Sequence, residues 1–228
     1  MYIYVYMYFI SLGRHCWIAY HIKKYINNDI PTQFFDWSRN DFKCVLYMLN
    51  LRIIDTIFNI ENIIVDKELF KKDNEITITF KNFVKDELSL LYHHDIPYKE
   101  YSEEEMNEKL LEFIEKYKRR HNRLIELIKT DKKLCFIYHI INNFNYDDTN
   151  LFNDILKSIN KNINYILILL IEEEEEKKED SYIYCKYDYY IKINLKKFMN
   201  VNFIDSNQDW KQQQYDWEKI FELIQNIS

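Results

Sequence analysis

A thiol that opens a helix directly after a strand and a glycine is placed to act as a nucleophile, because the first helical turn presents N–H groups and the positive end of the helix dipole to the sulfur. Of the four cysteines, at 16, 44, 135 and 185, Cys16 alone has this setting, with Ser11-Leu12-Gly13 before it and Arg14 and His15 adding positive character. A depressed thiol pKa and high reactivity are expected there. Cys44, Cys135 and Cys185 lie inside apolar patterns and read as small core residues. A thiol nucleophile needs a base, and the base needs a group to orient its ring. His93-His94-Asp95 supplies the imidazoles: His94 is the candidate base and His93 a candidate substrate contact. Asp36 and Asp95 are the two carboxylates available to orient the ring, and the sequence does not choose between them.

The single glycine, Gly13, and the two prolines, Pro31 and Pro97, mark the three segments that carry this chemistry. Glycine permits a left-handed turn or a close backbone approach, so Gly13 and Arg14 are candidate substrate-binding positions, with the N–H groups after Gly13 available for an oxyanion. In Phe34-Phe35-Asp36-Trp37, Trp37 has the apolar area to anchor the loop over the end of the first strand. It is expected to be buried, with Asp36 turned toward the Cys16 helix and Trp37 itself lining the substrate site. Lys116, Lys118, Arg119, Arg120 and Arg123 make part of one long helix basic. Arg120 and Arg123 are candidates to hold an anionic substrate group, although Glu112 with Lys116 and Glu115 with Arg119 are ordinary i, i+4 pairs. His139 sits in a core-type strand and reads as a core histidine, while His15, His21 and His121 read as surface or packing residues of helices.

The elements that must position these groups follow from hydrophobic period. Tyr2 to Ile10 is β-branched and aromatic without clean alternation, as in a strand covered on both faces. A helix from about Arg14 to Tyr25 follows, then a loop over 31–37 and a short helix over 41–49 with Phe42, Val45, Leu46 and Leu49 on one face. Strands are predicted at 75–80 and 88–92. The longest helix is predicted over 103–129, with Ser102 as N-cap and Met106, Leu110, Phe113, Ile114, Tyr117, Leu124 and Ile128 as its buried stripe. A strand at 134–140, a helix at 148–159, an apolar strand at 164–171, a strand over 182–195 and a helix over 209–227 complete the chain. This βαβ order predicts an α/β fold with a largely parallel central sheet flanked by helices.

Length favours one domain over residues 1–228, with 172–180 an acidic low-complexity loop. Ile, Lys and Asn are abundant in the manner of an A/T-rich coding bias, so their numbers carry little information and the rare residues carry more. A net charge of −6 at pH 7 argues against a general nucleic-acid binder. It fits a protein, peptide or glycan partner better. No C-x-x-C pair or secretory cysteine framework is present, so reduced thiols and a cytoplasmic location are expected. No motif calls for a cofactor or a metal. The apolar opening lacks a basic n-region and a cleavage site, and Ile163 to Ile171 is far short of the ~20 residues a spanning helix needs, so no membrane span is predicted.

Read in order, Ser11-Leu12-Gly13-x-x-Cys16, Phe35-Asp36-Trp37, His94-Asp95, Arg119-Arg120-x-x-Arg123 and Lys133-Leu134-x-Phe136 resemble the motifs of the putative papain-like cysteine peptidase family, found in bacteria and large DNA viruses. Asp216-Trp217 extends the likeness toward the end of the chain. Phe34 stands where that family commonly has proline, and His139 where its strand commonly ends in arginine. The resemblance implies a cysteine hydrolase with a Cys-His-Asp arrangement, in the host cytoplasm if the source is viral. It also implies a helix carrying the Cys and a later antiparallel sheet carrying the His, which differs from the βαβ order read above. Two other readings stand beside it: a nucleotide-sugar or glycan-related α/β enzyme with its ligand at the Gly13 turn, and a catalytically inert domain that binds protein or glycan.

Overall fold

The computed structural model describes residues 7–26, 31–50, 54–69, 74–81, 90–140, 144–172, 184–199 and 214–227, the side chain of His93 excepted. The first strand, β1, is Met7–Ser11. It pairs in parallel with β6, Lys133–His139, which pairs in parallel with β7, Asn164–Ile171, and that strand with β9, Ile191–Asn194. A short antiparallel strand, β8, Tyr184–Lys186, closes the far edge. Sheet A therefore has the order β1-β6-β7-β9-β8 and is mostly parallel.

Its apolar runs are continuous because both faces are covered. Along β6, Leu134, Phe136 and Tyr138 enter one core cluster and Cys135 and Ile137 the other; along β7, Leu167 and Leu169 alternate with Ile168 and Leu170 in the same way. The second cluster is closed by α1, Cys16–Tyr25, through Trp17, Ile18 and Ile22, and by the last helix, α6, Trp217–Ile227, through Trp217, Ile220, Phe221 and Ile224. Helices α2, Phe42–Leu49, α4, Glu103–Ile128, and α5, Asp148–Ile159, contribute to the first cluster, and a single turn, α3, Ile54–Ile57, joins it. The long helix starts as predicted: Ser102 accepts from the Glu105 N–H while the Glu105 side chain accepts from the Ser102 N–H. Its stripe is buried except for Met106, which is half-buried.

The strands predicted at 75–80 and 88–92 do not join the parallel sheet. They belong to sheet B, an antiparallel sheet of order β2-β5-β4-β3, built from β2, Ser38–Asn40, β3, Ile63–Asp66, β4, Glu75–Phe80, and β5, Leu90–Pro97. The α/β expectation holds for sheet A, and an antiparallel sheet stands beside it. Ile78, Phe80 and Tyr92 of sheet B share one apolar cluster with Ile10, Leu12 and Phe136 of sheet A and its margin.

Two further expectations change. The single strand expected over 182–195 is a hairpin, because a turn at 187–190, closed by the Tyr187 N–H on the Tyr190 carbonyl, separates β8 from β9. His93 to Asp95 lie within β5 rather than after it. There the register shifts, Ile76 pairing with Ile96 and Ile78 with Tyr92, so three residues of β5 oppose Thr77 alone. Residues 2–6, 88–89, 173–180, 182–183 and 209–213 of the predicted elements lie outside the described residues.

Candidate functional site

The chain turns from β1 into α1 within four residues, which requires two consecutive left-handed residues, Gly13 at φ 83° and Arg14 at φ 68°. For arginine that conformation costs roughly 1–2 kcal/mol. The turn is held by buried Asn40, which accepts the Arg14 N–H at 2.6 Å and donates to the Leu12 carbonyl at 3.0 Å. Arg14 Nη1 pairs with Asp41 at 2.5 Å, and the Tyr138 hydroxyl donates to the Asn40 carbonyl. A Cβ at position 13 would lie 2.6–2.8 Å from atoms of Asn40 and Ser38. Gly13→Ala is therefore expected to lower stability by roughly 2–4 kcal/mol, measured by denaturant unfolding. A change within about 0.5 kcal/mol would mean that the turn relaxes freely.

Because the Gly13 N–H donates to Ser11 Oγ and the Arg14 N–H to Asn40, neither is available to a phosphate or an oxyanion. The first N–H groups of α1 do reach the site: those of Cys16 and Trp17 bond the Cys16 sulfur and lower its pKa. Burial works against them and is the larger effect, and the negative charge of Glu75 adds to it, so the thiol is pushed up to about 11. The depressed pKa expected from helix placement is not found; a half-buried sulfur loses more in solvation than the helix terminus returns. Burial raises Cys44 to about 12, and raises Cys135 further.

Glu75 is also the partner of His94, whose Nδ1 lies 2.8 Å from Glu75 Oε1. The ring of Trp37 meets that of His94 edge-on at 5.5 Å, and Lys23 of α1 lies 5.6 Å from the Trp37 ring centre. The antiparallel sheet thus presents His94 and Glu75 on its side toward α1, with Trp37 of the 31–37 loop beside them. Asp95 goes elsewhere: it accepts from Lys116 Nζ and from the Tyr117 hydroxyl at 2.7 Å, both on α4. A strand irregularity sends neighbouring side chains in directions that simple alternation does not foretell. Asp36 is 4% exposed, accepts the Gln33 N–H at 2.7 Å and lies 3.9 Å from Lys23. It faces the Cys16 helix as expected, but its contacts are with Gln33 and Lys23. Burial raises its pKa, against the opposing effects of the Gln33 N–H and of Lys23, Arg120 and Arg123.

Trp37 is half-buried rather than buried. Phe34 and Phe35 anchor the loop instead, both wholly buried, with Phe34 against Phe58, Tyr117 and His121. Arg123 Nη2 donates to the Thr32 carbonyl at 2.6 Å, which ties the 31–37 loop to α4, whereas Arg120 stacks on Tyr117 of its own helix at 4.9 Å. The His93 side chain lies outside the described residues.

Glu75 escaped the sequence reading. It is one carboxylate at the head of a β-branched strand, and only the pairing of β4 with β5 brings it to His94. A second group was also unforeseen. His15, at the N-cap of α1, stands 5.4 Å from the ring of His139 at the end of β6. His139 Nε2 lies 3.4 Å from Glu172 Oε1, and Trp17 and Trp217 pack around them. Burial, then the charges of His139, Arg14 and Arg39, lower the His15 pKa to about 3 despite Glu172.

Among the described residues, no three His, Cys, Asp or Glu side chains are arranged to hold a metal ion. No helix among them is long and apolar enough to cross a membrane. No curated protein and no solved structure matches the chain. Residues 7–174 of its 228 match the family described as Putative papain-like cysteine peptidase (DUF1796), a span that takes in Cys16, Glu75 and His94. The chain belongs to that family.

Proposed function

We propose that the chain is a cysteine hydrolase in which Cys16 is the nucleophile, His94 the general base and Glu75 the group that orients the base. The observation that carries this is the 2.8 Å contact of His94 Nδ1 with Glu75, whose charge also acts on the Cys16 thiol. A carboxylate on Nδ1 favours the tautomer with the proton there, leaving Nε2 to take a proton. Family membership and the placement of His94 on an antiparallel sheet beside a Cys-bearing helix support the same reading. Both sheets share one apolar cluster, which supports treating the chain as one folding unit.

In this mechanism the thiol rests protonated. As the sulfur attacks a carbonyl carbon, its proton passes to His94 Nε2, and the imidazolium is stabilised by Glu75. His94 returns the proton to the leaving group, a thioester remains on Cys16, and water activated by His94 releases the acid and restores the thiol. The N–H groups of Cys16 and Trp17 stabilise charge on the sulfur.

The test uses p-nitrophenyl acetate as a generic acyl donor, with nitrophenol release and the acetyl adduct on Cys16 both measured. Cys16→Ala should abolish the adduct at this position, and His94→Ala should slow acylation by about 10²–10⁴-fold. Glu75→Gln should slow it less, and Asp95→Asn should leave it unchanged. Acylation of Cys16 that ignores His94→Ala in a folded protein sinks the proposal.

A further inference from the structure

A cleft of about 390 Å³ opens at the amino-terminal end of β7, the opposite end of the parallel strands from the Gly13 turn. It is lined by Tyr165 of β7, Lys157 of α5, and Lys186, Tyr187, Asp188 and Tyr189 of the β8–β9 hairpin. Its size falls in the range of about 300–1,000 Å³ usual for small-molecule sites. An A/T-rich coding bias multiplies tyrosines throughout the chain, but it does not gather exposed ones in one place. Here Tyr146, Tyr184, Tyr187 and Tyr189 are 37–44% exposed around one strand pair.

Two of these rings, Tyr187 and Tyr146, form a ladder with Tyr190 between them. Tyr187 stacks on Tyr190 at 4.6 Å and 19°, and Tyr190 on Tyr146 at 5.6 Å and 26°. Tyr187, 44% exposed, is the end ring, so a further flat ring can extend the stack. A planar aromatic ring does this better than a puckered sugar, since stacking needs two flat faces. The charges beside the ladder favour an anion. Lys186 has no ionic partner among the described residues, and Lys157 lies 6.0 Å from the Tyr189 ring centre. Of the residues that line the cleft, Asp188 alone carries a negative charge against these two ammonium groups, on a chain of net charge −6, and the charge of Asp154 acts on Tyr165 in its wall.

We propose that this cleft binds a nucleotide, with its base stacked on Tyr187 and its phosphate held by Lys186 and Lys157. The site is separate from the thiol chemistry, and Cys16→Ala should bind the nucleotide as the unaltered chain does. Calorimetry on the full chain tests it with AMP, UMP, adenosine, inorganic phosphate and glucose 6-phosphate. AMP and UMP should each bind at one site, at least about ten-fold tighter than adenosine or phosphate alone, with affinity falling as salt is raised. Tyr187→Ala should weaken AMP by roughly ten-fold or more while Tyr187→Phe keeps it, and Lys186→Ala should bring AMP toward the affinity of adenosine. The proposal is overturned by the absence of saturable binding of either nucleotide at up to about 10 mM. Glucose 6-phosphate binding as tightly as AMP, or unchanged AMP affinity in folded Tyr187→Ala, overturns it equally.

Discussion

Alkylation of Cys16 in the folded protein is expected to be slow at neutral pH and to rise about ten-fold per pH unit until it levels near 11. Raising the thiol from 9.0 to about 11 leaves about a hundred-fold fewer thiolates than an ordinary cysteine carries at neutral pH. Two causes oppose each other at this sulfur. The N–H groups of Cys16 and Trp17 favour thiolate, whereas burial and the Glu75 carboxylate disfavour it more strongly. Iodoacetamide labelling followed by peptide mass spectrometry over a pH series resolves each cysteine separately. Glu75→Gln removes one of the opposing charges and should move the Cys16 titration downward, in a direction that a purely structural role for Glu75 would not produce. A plateau at or below about pH 8 in the unaltered protein would contradict the balance described and point to a preformed thiolate–imidazolium pair. The consequence for function is direct: a protonated resting thiol requires a base during the attack itself, which is the part proposed for His94.

Acid is expected to destabilise the protein through His15. Its pKa is 6.5 in an unfolded chain and about 3 in the fold, so the folded form holds it neutral. For a depressed group the contribution to stability is complete above the unfolded pKa and is lost as pH falls toward the folded one, here from about 6.5 to 3. Between pH 7 and pH 4 the loss attributable to this residue is about 3 kcal/mol. The groups that face it act in one balance: burial, His139, Arg14 and Arg39 lower its pKa and Glu172 raises it. His15→Asn keeps a side chain suited to the N-cap of α1 and removes the titration. Urea unfolding of both proteins at the two pH values gives the test. The gap between them should shift in favour of the variant by about 3 kcal/mol as pH falls, and parallel losses would show that the acid sensitivity lies elsewhere.

Much of the backbone follows from local pattern. The period of 3.6 in 103–128 and 148–159 and the unbroken apolar runs in β6 and β7 leave little choice of element, because each must bury a stripe or two whole faces. The Gly13 turn is local as well: a left-handed residue is needed where β1 must hand directly to α1, and glycine supplies it without strain. That is why Cys16 could be singled out from its neighbours in the chain. Sheet B was half-legible. Two of its strands were visible as short apolar runs, β-branched in 75–80 and leucine-rich in 88–92, but their partners, and hence a separate antiparallel sheet, depend on contacts between residues far apart in sequence.

The same limit governs the site. Asp36 and Asp95 are close in sequence to Trp37 and His94, yet the fold commits Asp95 to Lys116 and Tyr117 and seats Asp36 against Gln33 and Lys23. Glu75 reaches His94 from 19 residues away because β4 and β5 pair across a register shift. The Cys16 pKa was likewise beyond local reading: helix position is written in the sequence, whereas burial, which prevails, is a property of everything packed around the sulfur. The amino-acid sequence by itself determined the strand–turn–helix that carries the thiol and the family to which the chain belongs. Only the tertiary structure decided which carboxylate meets which imidazole, since that rests on strand register and desolvation rather than on neighbours along the chain.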